Sequence, residues 1–335
     1  MREHIIVSDL HLGADHPGGR DAAAAFRAFL TTRILPAADR VHLVFLGDMF
    51  ELRDAPDAAG ALDDLAARFP ELFATLAECL RRGCQLHVVP GNHDAELPGD
   101  HLAELLGHLI DIHPWFYSVP GVLYAEHGHQ HHDLNRFPTL LAAGRYVPPL
   151  AAWHQHGPAG LLRAVVAARR RERAARSADY QTLIDGYAHR TGLPEQLVTE
   201  MHRISRYGML RTVRRLATRA LSPRLRASPD AYLVAAAATL HGLATAAGRA
   251  VPLYAFGHTH HARTVPLAGD AWYANTGTWC TEIRGDGPDR SDPSLFPYLE
   301  ITADGNAWEL RYWRWTSRVS VSLKGVLLGN SSDSG

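Results

Sequence analysis

The stretch "VVPGNHDAEL", residues 88–97, ends an apolar run with a glycine, an amide, a histidine and a carboxylate in succession. Gly and Asn adopt turn conformations readily, so these residues alone are as typical of a simple turn as of a binding site. The same order of apolar run and polar stop recurs in "HIIVSD" (4–9), "VHLVFLGD" (41–48), "GVLYAEHGH" (121–129) and "VPLYAFGHTH" (251–260). This recurrence favours one site shared by several strands.

Segments with helical periodicity separate the first three apolar runs, and strands that alternate with helices are typical of an α/β domain. A long helical stretch then precedes the return of the strands and a hairpin, "YLEITADGNAWELRYW", with its turn at Asp304-Gly305. We predict a core over residues 1–134 and 241–316, a helical basic cap inserted at 135–240, and a flexible tail at 317–335.

The composition indicates a soluble, well-packed protein, because 46% of the 335 residues are hydrophobic and 21% are charged. The three cysteines are too few for a disulfide framework and suit a reducing compartment. An apolar strand begins almost at the first residue, which leaves no room for a signal peptide, and no apolar run is long enough to span a bilayer. We therefore expect a cytoplasmic location.

The charge is distributed unevenly along the chain. Residues 163–226 hold 15 Arg, no Lys and 5 acidic residues, a local charge of +10 in a chain whose net charge is -1. Such a block forms either a solvated helix surface or an attractive surface for an anionic substrate, a nucleic acid or the inner face of a membrane. On the second interpretation we predict that Arg169, Arg170 and Arg171 bind substrate.

The polar stops carry residue types that bind metal ions. Side chains two residues apart leave a strand on the same side, and ligands gather at the carboxyl ends of strands in α/β sheets. The converging set is Asp9, His11, Asp48, Asn92, His93, His127, His258 and His260. Mixed oxygen and imidazole ligands suit Mn, Fe, Co or Zn better than Mg or Ca. Five of the 21 histidines have no such partner set and are predicted to be ordinary surface or core residues: His16, His42, His87, His101 and His154.

The blocks "SDLHLG", "GDMF", "GNHD", "HGH" and "GHTH" resemble the five motifs of the calcineurin-like metallophosphoesterases, over about residues 4–130 and 250–280. The resemblance implies an α/β fold, a double β-sheet sandwich flanked by helices (α-β-β-α), with two divalent metal ions at the strand ends. Manganese is the expected metal, with Fe, Zn or Co as alternatives. The resemblance implies one ion held by Asp9, His11, Asp48 and His260, and a second held by Asp48, Asn92, His127 and His258.

The resemblance also assigns catalytic roles. His93 matches the catalytic histidine of the family, and Asp94 matches the residue that orients it. Two metals that share a carboxylate activate water and neutralise phosphate oxygens, which suits hydrolysis of a phosphodiester or pyrophosphate bond by metal-bound hydroxide. His93 is then expected to protonate the departing oxygen or to stabilise developing charge.

The motif order and the insertion are similar to those of the UDP-diacylglucosamine hydrolase branch, which implies a lipid-linked anionic substrate and peripheral contact with a membrane. Three positions depart from that branch. Arg53 replaces a tryptophan, His93 replaces an arginine, and His129 replaces a carboxylate; we count His129 among the candidate substrate-binding residues.

Two other interpretations remain open. A nuclease, or a general phosphodiesterase or phosphomonoesterase of the same superfamily, would use the basic block to hold phosphates, since Arg contacts supply sequence-independent affinity. The block has few interleaved aromatic residues, which makes nucleic acid the less favoured partner. A non-catalytic interaction scaffold with the same fold is the alternative of another class, and the complete ligand set argues against it.

Overall fold

The computed structural model describes residues 2–14, 17–53, 55–132, 178–205, 230–280, 296–304, 307–314 and 320–326. Its strands are β1 (Glu3–Val7), β2 (Val41–Leu46), β3 (Gln85–Val89), β4 (Asp111–Ile112), β5 (Phe116–Val119), β6 (Leu123–Glu126), β7 (Leu253–Phe256), β8 (Arg263–Pro266), β9 (Trp272–Asn275), β10 (Pro297–Asp304), β11 (Ala307–Arg314) and β12 (Ser320–Val326). Its α-helices are α1 (Pro17–Phe29), α2 (Ala58–Arg68), α3 (Pro70–Arg81), α4 (Gly99–Leu106), α5 (Ala178–Thr191), α6 (Glu195–Ser205) and α7 (Ala231–Ala246). A π-helical turn (Leu30–Ile34) and two 3₁₀ segments (Leu35–Arg40 and His129–His131) complete the described elements.

The strands form two sheets. The first has the order β12-β11-β10-β1-β2-β3-β4, and the second has the order β5-β6-β7-β9-β8. Strands β1 to β4 are parallel to one another, and β6, β7 and β9 are likewise parallel. The carboxyl ends of the parallel strands within each sheet therefore lie along one edge.

Each parallel strand is apolar on both faces, as expected for a strand covered on both sides. In β1, Ile5 and Val7 pack with the helices that follow β1, β2 and β3, whereas Ile6 faces the second sheet. A separate cluster on the outer face of the second sheet joins Tyr124 and Phe256 to the helices α5, α6 and α7. The layers are thus helix, sheet, sheet and helix, which confirms the predicted sandwich.

The segment predicted as a cap is described only in part. Ile184 of α5 and Val198 of α6 pack with Phe116 on the outer face of the second sheet, so these two helices belong to the outer helical layer. The predicted boundary at 240/241 falls inside α7, because this Ala-rich helix packs as one piece on Tyr254 and Phe256. Residues 133–177 and 206–229 lie outside the described residues, so the cap remains a prediction.

Part of the predicted flexible tail has regular structure. Residues Ser320–Val326 pair antiparallel with β11, so the tail prediction is corrected for this stretch. Its sequence, "SVSLKGV", alternates small polar and apolar residues, which is the period of a strand with one covered face. Among the described residues, no helix has the length and apolar character needed to cross a membrane.

Candidate functional site

The polar stops of the two sheets meet at one edge of the sandwich. Three groups of side chains each bring potential metal-ligating atoms within 4.8 Å of one another. The groups are Asp9–His11–His260, Asp48–His127–His258 and His11–Asp48–His93. The structure therefore brings together the histidines and aspartates that follow β1, β2, β3, β6 and β7, and His93 groups with His11 and Asp48.

The first set surrounds a buried carboxylate oxygen. Asp9 Oδ1 lies 3.1 Å from His260 Nε2 and 4.0 Å from His11 Nε2, and these two ring nitrogens are 3.3 Å apart. The other oxygen of Asp9 accepts hydrogen bonds from the Ser8 hydroxyl and from the backbone N–H of His258. These bonds fix the carboxylate so that Oδ1 points towards the two rings.

The second set is built around Asp48. His127 donates its Nδ1–H to the Leu46 carbonyl at 2.8 Å, and its Nε2 lies 3.2 Å from Asp48 Oδ2. Burial lowers the pKa of His127, but the charges of Asp48 and Asp9 outweigh it and raise this pKa to about 10. The other Asp48 oxygen accepts the backbone N–H of His93 at 2.7 Å. Burial raises the pKa of Asp48, but the surrounding His127 and His93 outweigh it and hold this pKa well below its ordinary value. Asp48 is therefore an ionised carboxylate although its side chain is buried.

Several ligand-type atoms are buried without a hydrogen bond. Asn92 Oδ1 has no hydrogen-bond partner among the described residues, and Asp9 Oδ1 and His127 Nε2 make no hydrogen bond of good geometry, their close polar neighbours being His260 Nε2 at 3.1 Å and Asp48 Oδ2 at 3.2 Å. Buried polar atoms are nearly always satisfied, so three such atoms at one edge require an explanation. Divalent cations satisfy this requirement, because carboxylate, amide and imidazole donors are the ligands that transition metals accept.

The backbone that carries these ligands is unusual. Asp9, His11, Asp48, His258 and His260 all have positive φ angles, between 49° and 69°. Few residues other than glycine adopt this left-handed conformation, and such residues cluster at functional sites. The conformation turns each side chain away from its strand direction and towards the common edge.

Two glycines make the close approach of the loops feasible. A Cβ atom on Gly91 would lie 2.2 Å from Asp48 Oδ1 and 2.6 Å from the Asp48 backbone nitrogen. A Cβ on Gly47 would lie 2.3 Å from His127 Nδ1, and the φ of Gly47 is +84°. In "GDMF" and "GNHD" the glycine therefore makes room for a neighbouring ligand, which is why it precedes the polar residue.

The structure corrects the predicted role of Asp94. Its carboxylate accepts the backbone N–H groups of Gly91, Asp48, Met49 and Phe50 at 2.6 to 3.3 Å, so it joins the loops after β2 and β3. Burial raises the pKa of Asp94 to about 6, with a further contribution from the Asp48 charge. The described hydrogen bonds of Asp94 thus hold backbone, and another carboxylate contacts the ring of His93.

That carboxylate is Glu51, which the sequence did not single out. Glu51 Oε1 accepts the Nδ1–H of His93 at 2.6 Å, and its Oε2 accepts the Nδ1–H of His11 at 3.1 Å. Burial raises the pKa of Glu51, but the hydrogen bonds from His11 and His93 outweigh it and lower this pKa to about 2. One ionised side chain therefore orients both rings and leaves each Nε2 facing the site.

His93 stands at the rim of the metal-ligand sets. Its Nε2 lies 4.0 Å from Asp48 Oδ2, and 21% of its side chain is exposed. Burial lowers the pKa of His93, but Asp48 and Glu51 outweigh it and the nearby positive charge of Arg53, so the net shift is upward. A ring that keeps its proton and remains accessible is suited to donate that proton to a reacting group.

The predicted substrate-binding residues have different outcomes. His129 is buried, and its ring packs 5.4 Å from the ring of His127 and 6.4 Å from that of His258. Little of the ring is left for a substrate to contact. Arg169, Arg170 and Arg171 lie outside the described residues.

Comparison with known proteins gives one family match. Residues 5–180 match the family model described as calcineurin-like phosphoesterase. No curated protein matches the chain.

Three solved structures are similar at low identity. A dimetal phosphatase from Danio rerio is 13% identical, with a TM-score of 0.42 and coverage of 97% of this chain and 99% of that one. Vps29 from Entamoeba histolytica, complexed with zinc, is 12% identical, with a TM-score of 0.36 and coverage of 97% and 99%. The phosphopantetheinyl hydrolase from Mycobacterium tuberculosis is 16% identical, with a TM-score of 0.32 and coverage of 83% and 90%. At these scores they carry no inference about activity.

Proposed function

The chain belongs to the calcineurin-like phosphoesterase family, and we propose that it hydrolyses a phosphodiester or pyrophosphate bond with two divalent metal ions, manganese being the expected metal. The observation that supports this proposal most strongly is the convergence of ligand-type side chains, several with unsatisfied buried atoms, at one edge of the sandwich. A fold that needed these residues only for packing would satisfy its buried polar atoms.

Each metal ion would have its own set of ligands, with Asp48 shared between the two. One set is Asp9, His11, Asp48 and His260, and the other is Asp48, Asn92, His127 and His258. When bound, two divalent ions lower the pKa of a water molecule and neutralise the oxygens of a phosphate group.

The protein's own groups would complete the chemistry. Glu51 holds the Nδ1–H of His93, so the Nε2 of that ring faces the substrate position and can deliver a proton to the leaving oxygen. Asp94 fixes the two loops that carry Asp48 and His93, so the distance between the shared ligand and the proton donor is set by backbone. Glu51, which also holds His11, and Asp94 therefore each link the proton donor to the proposed metal ligands.

For the substrate we propose an anionic lipid-linked nucleotide such as UDP-diacylglucosamine. The protein would lie in the cytoplasm and take this lipid by peripheral contact with the inner face of a membrane. The support is the motif order, together with the local charge of +10 over residues 163–226. Arg169, Arg170 and Arg171 are proposed to bind the substrate's anionic groups, since Arg binds phosphate in a bidentate way.

A substrate panel with added manganese tests the activity and its class. The panel holds a nucleotide-linked lipid, a cyclic nucleotide, a bis-aryl phosphodiester, an aryl phosphomonoester and DNA. We expect hydrolysis of the diester and the pyrophosphate, loss of activity after chelation, and recovery with manganese. Asp48→Asn should be inactive, whereas Asp63→Asn, at an exposed carboxylate on α2, should match the wild type.

The outcomes separate the alternatives. Salt-sensitive DNA cleavage as the dominant activity would make the protein a nuclease, and preference for the monoester would make it a phosphomonoesterase. Metal-loaded protein that hydrolyses none of the substrates would refute the enzymatic proposal and favour a scaffold.

A further inference from the structure

A second cluster of histidines lies away from the candidate active site. It consists of His42, His87, Asp111 and His113. The sequence predicted His42 and His87 to be ordinary residues without partners. His87 lies in the middle of β3, two residues before the strand ends at Val89, whereas Asn92 follows the carboxyl end of the strand. The cluster is therefore not part of the site built on the strand ends.

Sheet register brings these residues together. His87 pairs directly with Asp111 across β3 and β4, and His113 follows immediately after β4. The side chains of His87 and His113 are 12% and 7% exposed, whereas Asp111 is 50% exposed. The cluster thus has two sheltered imidazoles and one carboxylate that faces solvent, which gives an ion a route of entry.

The three donor atoms have the spacing of ligands around one ion. His87 Nδ1 is 3.2 Å from His113 Nε2 and 3.5 Å from Asp111 Oδ2, and the last two atoms are 3.1 Å apart. A tetrahedral ion with ligands at about 2.0 to 2.1 Å has ligand–ligand edges of about 3.3 to 3.4 Å. The observed triangle matches one face of such a tetrahedron and leaves the fourth position for water.

A neighbouring ring is placed to support the tautomer of His87 that a metal site requires. His87 Nε2 lies 3.0 Å from His42 Nδ1, and the two rings stack with centroids 5.2 Å apart. If His87 donates its Nε2–H to His42, its Nδ1 carries a lone pair towards the cluster. A hydrogen bond from the distal nitrogen of a ligand histidine is the usual support of a metal site.

Arg190 modulates the cluster. Its Nη1 donates to the Ile112 carbonyl at 3.1 Å and to Asp111 Oδ1 at 3.3 Å, which leaves Asp111 Oδ2 for an ion. The same Nη1 lies 3.5 Å from His113 Nδ1 and can only donate to it, which favours the tautomer with the proton on Nε2, so Arg190 competes with a cation both through this bond and through its charge. Arg190 is 47% exposed, so solvent screens part of this repulsion.

We propose that His87 Nδ1, His113 Nε2 and Asp111 Oδ2 bind a zinc ion at a site separate from the dinuclear centre. Two imidazoles and one carboxylate suit zinc better than magnesium or calcium, which prefer oxygen ligands. The ion joins the two-residue edge strand β4 to β3, and an ion that binds only the folded state stabilises that state. Its role is structural.

The test uses the full-length protein, stripped by chelation and then equilibrated with buffered zinc. Asp111→Asn removes the ligand oxygen at an exposed position and retains an acceptor for Arg190, so we expect it to fold normally. It should bind one zinc ion per chain fewer than the wild type, with affinity at this site weakened at least roughly tenfold. Asp63→Asn, whose carboxylate also contacts a histidine, is the matched control and should bind zinc like the wild type.

Two further variants separate this site from the dinuclear centre. Arg190→Gln should tighten zinc binding, because it removes the opposing charge. Asp48→Asn should lose metal at the dinuclear centre and still bind zinc at the site of His87, Asp111 and His113. Conversely, Asp111→Asn loaded with manganese should hydrolyse the substrate at the wild-type rate. Equal zinc content and affinity in wild type, Asp111→Asn and Asp63→Asn would overturn the proposal, whatever the outcome of the substrate panel.

Discussion

Replacement of Glu51 by Gln is the sharpest perturbation of the candidate active site. The substitution keeps the size of the side chain and removes a charge that two rings share through bonds of 2.6 Å to His93 and 3.1 Å to His11. A Gln amide has one acceptor oxygen and one NH₂ donor, so it can accept only one of the two Nδ1–H groups. The other ring must change its tautomer or turn, and its Nε2 is then no longer presented to the site.

The expected loss follows from the type of hydrogen bond. A hydrogen bond to a charged partner contributes about 1.5 to 3 kcal/mol. At about 1.4 kcal/mol per factor of ten, this corresponds to a fall in kcat/KM of roughly 10- to 150-fold. Because the pKa of Glu51 is lowered to about 2, the carboxylate is ionised throughout any practical assay, and the loss should occur at every pH.

The pH profile distinguishes orientation of a proton donor from a purely structural effect. If His93 acts as an acid, activity falls as pH rises through its pKa. Removal of the Glu51 charge lowers that pKa, since Glu51 is one of the groups that raise it, so the alkaline limb should move to lower pH. A variant that merely loosened the fold would lower the activity without moving this limb.

The assay is hydrolysis of a bis-aryl phosphodiester over a titration of manganese from limiting to saturating concentration, with metal content measured on the same samples. Glu96→Gln, an exposed carboxylate three residues after His93, is the matched control and should behave like the wild type. If Glu51→Gln kept kcat/KM within roughly twofold of wild type, with an unmoved alkaline limb, the role given to Glu51 would be wrong. Full recovery at higher manganese would restrict that role to His11.

Three further predictions follow. His93→Ala should retain both metal ions but slow hydrolysis by roughly two to four orders of magnitude; a metal content as low as that of Asp48→Asn would make His93 a ligand. Asp94→Ala leaves four backbone N–H groups without their buried acceptor. The free energy of unfolding of this variant in urea should therefore fall by about 3 kcal/mol or more, and an unchanged midpoint of the urea transition would contradict this. Burial lowers the pKa of His4 to about 3. The neutral ring therefore stabilises the fold above the unfolded pKa of about 6.5, and this stability is lost as the pH falls towards 3. In urea unfolding, His4→Gln should show a shallower loss of stability over this pH range, and an equally steep loss would refute the prediction.

Strand geometry predicts that these polar residues converge at one edge, whereas their division into two ligand sets follows from the family resemblance and stays a prediction. Residues such as Asp9 and His11 follow parallel strands directly, and parallel strands of one sheet end at the same edge. Glu51 was missed because its position depends on the path of a loop. That loop is held by bonds from Glu51 N to Leu12 O and from Leu52 N to His93 O, which no spacing in the sequence reveals.

The family resemblance implied that Asp94 orients His93, but the described contacts of its carboxylate are with four backbone N–H groups. A match of motifs does not show which way a side chain points, and adjacent residues point in different directions. His42 and His87 were taken as ordinary residues because each is a single histidine in an apolar strand. Their cluster depends on the stacking of rings across β2 and β3 and on the pairing of His87 with Asp111, and such cross-strand neighbours are invisible without the sheet order.

The backbone strain at the strand ends links the fold to its function. Five of the proposed ligand residues have left-handed backbone conformations, which cost residues other than glycine up to about 1 to 2 kcal/mol each. Asp and His adopt this conformation more readily than most other residues do. Glycine would remove most of this strain at each position but would also remove the ligand. A chain that keeps Asp or His at all five positions therefore gives up stability for side-chain chemistry at one edge, and the binding of metal ions to the folded state can offset that loss.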